Sequence, residues 1–304
     1  MSETDPPPLP DFLRQARSWL EANAEQAPLR AQLRWGVGSD RVSLFRDTSD
    51  DEERAQLDAA RAWQRAKFDA GYGAISWPTR YGGAGLGPEY EREFTRLEGQ
   101  FVTPLKVEAL GISVELEAAT ILHLGTEDQK TRWLRPLRRG DELCCQLFSE
   151  PGAGSDLGSI ALRAVRDADG WVLNGQKVWT SGAQFADLGY VIARTDPEAP
   201  RQTALTAFLV PMRASGVTVR PLRQMTGGST FNEVFLDSVR VADSARLGEV
   251  GGGWAAMMTT LAFERASVSD GLGFSGLELV DRLVLTAHHL GRDQDPVVRQ
   301  RLAD

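Results

Sequence analysis

Residues 161–181 read ALRAVRDADGWVLNGQKVWTS. Short apolar runs at Ala161–Arg166, Trp171–Leu173 and Lys177–Thr180 are separated by Asp169-Gly170 and Asn174-Gly175. Asp-Gly and Asn-Gly adopt the positive-φ conformations of two-residue hairpin turns at little cost, so the pattern predicts successive hairpins. Further runs at Val191–Arg194, Leu205–Val210, Val217–Val219 and Val234–Leu236 extend the texture. From Leu143 to about Val241 the chain therefore reads as an antiparallel sheet or barrel of roughly 100 residues, an ordinary domain size.

Both flanks are helical in texture. Upstream, Asp11 is placed to cap a helix carrying Phe12, Ala16, Trp19 and Leu20 on one face. Ser49-Asp50-Asp51-Glu52 and Thr126-Glu127-Asp128-Gln129 have the form of capping boxes. Pro88 suits the first position of another helix, and residues 104–123 are apolar at helical spacing, with Gly111 as a soft spot. Downstream of Gly251-Gly252-Gly253, one helix is expected to carry Trp254, Met257, Met258 and Leu261 on one face, a second to span about 275–290, and a third to start at Asp295-Pro296. The class is α+β: a Pro-rich tail read as disordered (1–10), an N-terminal α-helical domain (11–141), a middle antiparallel β domain (142–242), and a partial C-terminal helical bundle (243–304) holding its first two to three helices.

Composition narrows the function. The 304 residues include 34 Lys and Arg against 42 Asp and Glu, a net charge of −8 that argues against a general nucleic-acid binder. No run of 18 apolar residues suggests a membrane span, and the acidic opening Met-Ser-Glu-Thr-Asp does not resemble a secretory signal. The two cysteines, Cys144 and Cys145, are adjacent and there are three histidines, so neither a disulfide framework nor a metal centre is expected. A reducing, cytoplasmic setting fits.

The sharpest local motif is Ser149-Glu150-Pro151-Gly152-Ala153-Gly154-Ser155-Asp156, directly after an apolar run. Glycines after a strand let backbone N–H groups approach a phosphate or flat ring, and Ser149 and Ser155 add hydroxyl donors. Alone, it also suits a plain turn. About 25 residues on, Asn174-Gly175-Gln176-Lys177-Val178-Trp179-Thr180-Ser181-Gly182 offers an indole followed by hydroxyls, suited to covering a planar cofactor or to a core Trp beside a turn. With Leu124-Gly125-Thr126-Glu127-Asp128-Gln129-Lys130, Phe231-Asn232-Glu233-Val234-Phe235, Gly248-Glu249-Val250-Gly251-Gly252-Gly253-Trp254 and Leu261-Ala262-Phe263-Glu264-Arg265, these blocks, in this order and spacing, resemble the acyl-CoA dehydrogenase family of flavoproteins. The resemblance covers most of residues 50–270.

The resemblance implies an FAD site between the β domain and the C-terminal helices. Gln146, Phe148, Ser149, Gly154, Ser155, Trp179, Thr180 and Ser181 match its cofactor-binding positions. In its terms Ser149 donates to the pyrimidine edge, Ser155 lies near the FAD phosphates or the CoA arm, Trp179 packs by the isoalloxazine, and Ser181 stands at the N5 edge where many members carry Thr. The implied reaction is α,β-dehydrogenation of an acyl-CoA to a trans-2-enoyl-CoA with hydride transfer to flavin N5. Such chemistry needs a carboxylate held close to a weakly acidic α C–H. In some subgroups that base is a Glu just before an Arg on the first helix after the β domain, which Glu264 matches, with Arg265 contacting substrate or orienting the Glu. In most members it lies later, beyond Asp304. Electron-transfer flavoprotein is the implied electron acceptor, and the implied assembly is a homo- or hetero-oligomer. A weakly active or non-catalytic subunit of a heteromeric dehydrogenase, and a related flavin oxidase, are the alternatives. His123, His288, His289, Arg220 and Arg223 read as structural or surface residues.

Overall fold

The same local chemistry that marks the capping boxes sets the helices of the computed structural model, which describes residues 6–27, 49–225, 228–269 and 276–303. The chain divides into two bodies, Met1–Gln26 with Phe45–Glu264, and Ala27–Leu44 with Arg265–Asp304. In the first, helix α1 (Leu9–Asn23) starts two residues before Asp11. Pro10 tolerates the first turn because its missing N–H would have no partner there, and Asp11 bonds Arg14 within the helix instead of capping it. Helix α2 (Asp50–Asp69) has the expected box: Glu52 N donates to Ser49 Oγ, and the Glu52 carboxylate accepts from Ser49 N at 3.0 Å. Helix α3 (Pro88–Glu98) begins at its proline. The stretch expected to be one helix over 104–123 is α4 (Glu108–Gly111), a π-helical turn (Ile112–Glu117) and α5 (Ala118–Leu124). Helix α6 (Glu127–Arg139) follows the second box, Thr126 and Gln129.

The middle of the chain is an eight-stranded sheet: β1 (Cys144–Leu147), β2 (Arg163–Asp167), β3 (Gly170–Ser181), β4 (Leu188–Arg194), β5 (Leu205–Pro211), β6 (Val217–Leu222), β7 (Phe231–Ala242) and β8 (Arg246–Leu247). The order is β6-β7-β3-β2-β4-β5-β8, with β1 beside β4. Pairing is antiparallel except that β1 and β2 each run parallel to β4. The hairpin expected at Asp169-Gly170 forms with its turn one residue earlier, at Ala168-Asp169, and Gly170 already pairs with Asp167. Asn174-Gly175 is not a turn: β3 runs through it, with a register shift against β7 between Leu173 and Gly175. Asn174 Oδ1 instead accepts from the N–H of Ser238 across the ladder at 2.8 Å, and a Cβ on Gly175 would meet Leu162 at under 3 Å. The pair marks a bulge and a close approach, the other use of glycine in a strand.

Both faces of the sheet are covered. Cys144, Phe148, Tyr190, Leu205 and Leu209 pack with Ile121, Leu134 and Leu137 of the helical layer and with Met257. Cys145, Leu147, Val191, Phe208 and Val210 form the second core with Trp171 and Val234. The adjacent thiols thus point to opposite faces and are both buried. Helix α7 (Gly253–Ser269) turns Met257 and Thr260 inward, while Met258 is exposed. One residue is about 100° of helix, too far for Met257 and Met258 to share one face.

In the second body, α8 (Gly276–His289) and α9 (Pro296–Ala303) occupy the expected stretches, and Asp295 Oδ1 accepts from Val297 N at 2.9 Å as an N-terminal cap. Leu283, Val284, Leu285, Leu290 and Val297 are exposed there.

Candidate functional site

The Ser149–Asp156 motif leaves the end of β1, and one buried ion pair fixes it to β3. Lys177, fully buried, donates to Glu150 Oε1 at 2.8 Å and to the carbonyl of Phe148 at 2.9 Å. Glu150 also accepts from the N–H groups of Ala161 and Leu162 at 2.7 and 3.0 Å. Desolvation lowers the Lys177 ammonium to about 8, and the Glu150 charge opposes that fall. Backbone bonds reinforce the junction: Val178 N donates to Ser149 O at 2.9 Å, and Glu150 and Ala153 bond each other across a tight turn. The two motifs, 25 residues apart in sequence, thus form one corner.

Trp179 stands at that corner with φ +62°, a left-handed conformation that is unfavourable for a bulky residue. Its indole is 61% exposed and touches Phe231 edge-on at 6.1 Å between ring centroids. The strand is irregular there, with a register shift between Lys177 and Thr180. Thr180 Oγ1 and Asn232 Oδ1 are buried without a hydrogen-bond partner among the described residues, although Asn232 Nδ2 donates to Thr180 O at 3.0 Å. Ser181 Oγ donates to Glu108 at 3.0 Å. Ser149 is half-buried and Ser155 exposed. A Cβ on Gly152 or Gly154 would meet no atom within 4 Å, so no packing contact with the protein requires glycine at either place. A strained, solvent-facing indole, a buried hydroxyl lacking a partner and two unencumbered glycines fit a flat, phosphate-bearing ligand such as FAD.

Gln146 and Phe148 lie on the β1 face that looks toward the helices, with Gln146 opposite Tyr190 in the register and the Phe148 and Tyr190 rings in edge contact at 5.2 Å. Behind them is a polar cluster that the sequence reading did not single out. Tyr190 is fully buried, and its hydroxyl faces Thr260 without forming a geometrically sound hydrogen bond. The Thr260 and Thr120 hydroxyls are 2.9 Å apart. Glu117 is fully buried at the end of the π-helical turn, within electrostatic reach of Tyr190, Cys144 and the half-buried Glu264. Burial raises the Glu117 carboxyl well above the usual carboxylate range, and Glu264 raises it further. A sequence signal for Glu117 existed: Leu110, Val114, Glu117 and Ile121 share one helical stripe, which puts a carboxyl on an apolar face.

Among the sequence-derived candidates, the structure brings Gln146, Phe148, Ser149, Trp179, Thr180 and Ser181 to the ends of β1 and β3, with Gly154 and Ser155 on the loop that leaves it. Glu264 lies within electrostatic reach of Glu117 of the helical layer. Arg265 is exposed and begins the second body. His123 is exposed, exposed His288 lies 3.3 Å from Asp293, and exposed Arg220 covers the Phe235 ring at 4.9 Å. Among the described residues no cluster of His, Cys, Asp and Glu is arranged to hold a metal, and no helix is long and apolar enough to cross a membrane.

Comparison with known proteins agrees with this architecture. The family description "Acyl-CoA dehydrogenase, N-terminal domain" matches residues 24–141, and "Acyl-CoA dehydrogenase, middle domain" matches residues 145–239. Acyl-CoA dehydrogenase IpdE1 of Mycobacterium tuberculosis is 38% identical over 294 residues, spanning 96% of this chain and 72% of that protein. Acyl-CoA dehydrogenase FadE34 of the same organism is 47% identical over 209 residues, 68% of this chain and 29% of its own length. The solved Tcur3481-Tcur3483 steroid ACAD superposes with a TM-score of 0.70 at 28% identity, covering all of this chain and 73% of that one. With its helical and β domains matched in order, and a relative this similar across nearly its whole length, the chain belongs to the acyl-CoA dehydrogenase family of oxidoreductases.

Proposed function

We propose that the corner between β1 and β3 binds FAD and that this chain carries out α,β-dehydrogenation of an acyl-CoA thioester to a trans-2-enoyl-CoA, with Glu264 as the base. The observation that carries the reading is Trp179, a bulky aromatic held at φ +62° and presented to solvent. Local strain of this kind persists where the surrounding structure enforces it, typically in binding sites. When bound, FAD supplies the acceptor for the β-hydrogen as hydride; the protein binds it and holds the substrate. Ser149 and Ser155 offer hydroxyls to the cofactor, the Trp179 ring covers one side of it, and Glu264 takes the α-proton. Arg265 orients Glu264 or meets the substrate. Electron-transfer flavoprotein then receives the electrons.

The assembly is an oligomer. The exposed apolar side chains of α8 and α9 favour association, and the Tcur3481-Tcur3483 relative is named as a pair of different chains. In that reading a dissimilar partner subunit completes the enzyme.

The test is direct. The purified protein, alone and with co-expressed dehydrogenase-like chains, is expected to show a flavin spectrum that bleaches anaerobically with an acyl-CoA. The panel should contain straight-chain, branched and steroid side-chain thioesters, because the Tcur relative is named a steroid ACAD. A colourless protein that FAD cannot reconstitute removes the proposal, and peroxide formation in air with no transfer to electron-transfer flavoprotein replaces the dehydrogenase with an oxidase. Trp179→Ala is expected to leave the fold intact, since the ring is mostly exposed, and to weaken FAD about tenfold, the order of one lost aromatic stacking contact. Fluorescence titration of the apoprotein with FAD measures it.

A further inference from the structure

Glu117 ends the π-helical turn Ile112–Glu117 and is completely buried. Neither carboxyl oxygen has a hydrogen-bond partner among the described residues. An ionised carboxylate placed there would have neither a cation nor an N–H donor bonded to it among the described residues, and groups in such sites neutralise rather than bear that penalty. Among the described residues, the titratable groups within electrostatic reach of it come from three elements: Cys144 of β1 on the same face and Cys145 on the opposite one, Tyr190 of β4 and Glu264 of α7. None is a cation. Arg138 of α6, buried against the same turn, gives its terminal nitrogens to Val114 O, Gly73 O and Glu91; its Nε has no partner among the described residues, and the carboxylates that act on it are Glu91 and Glu115, not Glu117.

Helix packing explains why Glu117 feels Glu264. The Thr120 and Thr260 hydroxyls touch. One turn before Thr120 stands Glu117, and one turn after Thr260 stands Glu264, so each carboxyl lies one turn from the contact and within electrostatic reach of the other. Single π-helical turns inside helices are frequent at functional sites, and this one ends on Glu117.

We propose that Glu117 stands in the layer beside Glu264 as a protonated, neutral carboxyl, so that no second charge opposes Glu264 as it accepts the α-proton. The proposal rests on the reading of Glu264 as the base. A carboxyl that is buried without a partner and feels a second carboxyl keeps its proton at neutral pH. During the reaction the α-proton bonds to a Glu264 oxygen, the C–H electron pair remains with the substrate as the new double bond forms, and Glu117 neither gains nor loses a proton. Glu117 is thus a positioning residue: it adds no charge beside Glu264 and does not touch the substrate.

Glu117→Gln, neutral and of the same shape, tests this in three ways. Infrared difference spectra at neutral pH, wild type minus variant, are expected to contain the C=O stretch of a protonated carboxylic acid. Carboxylate bands in its place overturn the proposal, and no flavin or substrate is needed. Second, the folded protein holds this proton to higher pH than the unfolded chain. Wild-type stability is therefore complete below the unfolded glutamate value and falls as pH rises toward the folded one, so the melting-temperature gap in favour of the variant should widen from about pH 5 to about pH 8. A gap independent of pH overturns the proposal. Third, the acid limb of flavin bleaching should stay in place in the variant; a displacement of one pH unit or more toward acid would mean that Glu117 had been charged. If Glu117→Gln does not fold, the deuterium shift of the wild-type C=O band supplies the first readout. Retained bleaching in Glu264→Gln would remove the base reading alone, because the infrared and melting results stand without it.

Discussion

Glu264→Gln is expected to retain fold and flavin and to slow acyl-CoA bleaching by about 10²- to 10⁴-fold, the range that one general base contributes. The substitution keeps the volume and hydrogen-bonding capacity of the side chain and removes only its ability to accept a proton. Glu264 is half-buried and extends the inward face of α7 that carries Met257 and Thr260, so the amide leaves no void. The size of the effect follows from the substrate: an α C–H beside a thioester is too weak an acid to lose its proton to water while the β-hydrogen departs. Stopped-flow bleaching in anaerobic buffer, with flavin content from the visible spectrum, separates lost chemistry from lost cofactor. Undiminished bleaching places the base elsewhere. Loss of flavin as well as bleaching would assign Glu264 a structural role.

The fold was legible wherever a local rule had no rival. Both capping boxes, Pro88 and Pro296 mark helix starts that the structure keeps, because a cap is satisfied within one turn of chain. Asn174-Gly175 misled because the dipeptide serves both turns and bulges; Leu162 and Ser238, distant in sequence, decide which it is. The π-helical turn after Gly111 was equally invisible, since one inserted residue leaves the apolar spacing nearly unchanged. In the candidate site, the motifs identified the corner of β1 and β3 but not what holds it. Glu150 and Lys177 read as ordinary motif members, and only the burial of both revealed an ion pair. Glu117 was masked in another way: periodicity places side chains on a face, whereas the absence of a partner for a buried carboxyl is a property of the packed layers.

Lys177→Met should lower stability by about 3–5 kcal/mol, the cost of leaving one member of a buried ion pair alone. Burial lowers the Lys177 ammonium, and the Glu150 carboxylate 2.8 Å away opposes that fall and favours the charged pair. Methionine fills the volume of the aliphatic stem, which keeps a cavity from confounding the result. It leaves Glu150 buried with only the N–H groups of Ala161 and Leu162, and the Phe148 carbonyl without its donor. For a body of this size the change corresponds to a fall of roughly 10 °C in melting temperature, measurable by calorimetry on the apoprotein. Adding Glu150→Gln removes the stranded charge, so the double variant should be more stable than Lys177→Met alone. If the two losses simply add, the buried pair is not what joins the strands. The same cycle read through FAD titration tests whether the lock matters to the site. Because Lys177 ties Phe148 and Glu150 to β3 immediately before Trp179, loosening it should weaken cofactor binding even though Lys177 is buried away from solvent. An unchanged FAD affinity in a destabilised Lys177→Met protein would mean that the corner holds its shape through the backbone bonds of Val178 and Ala153 alone.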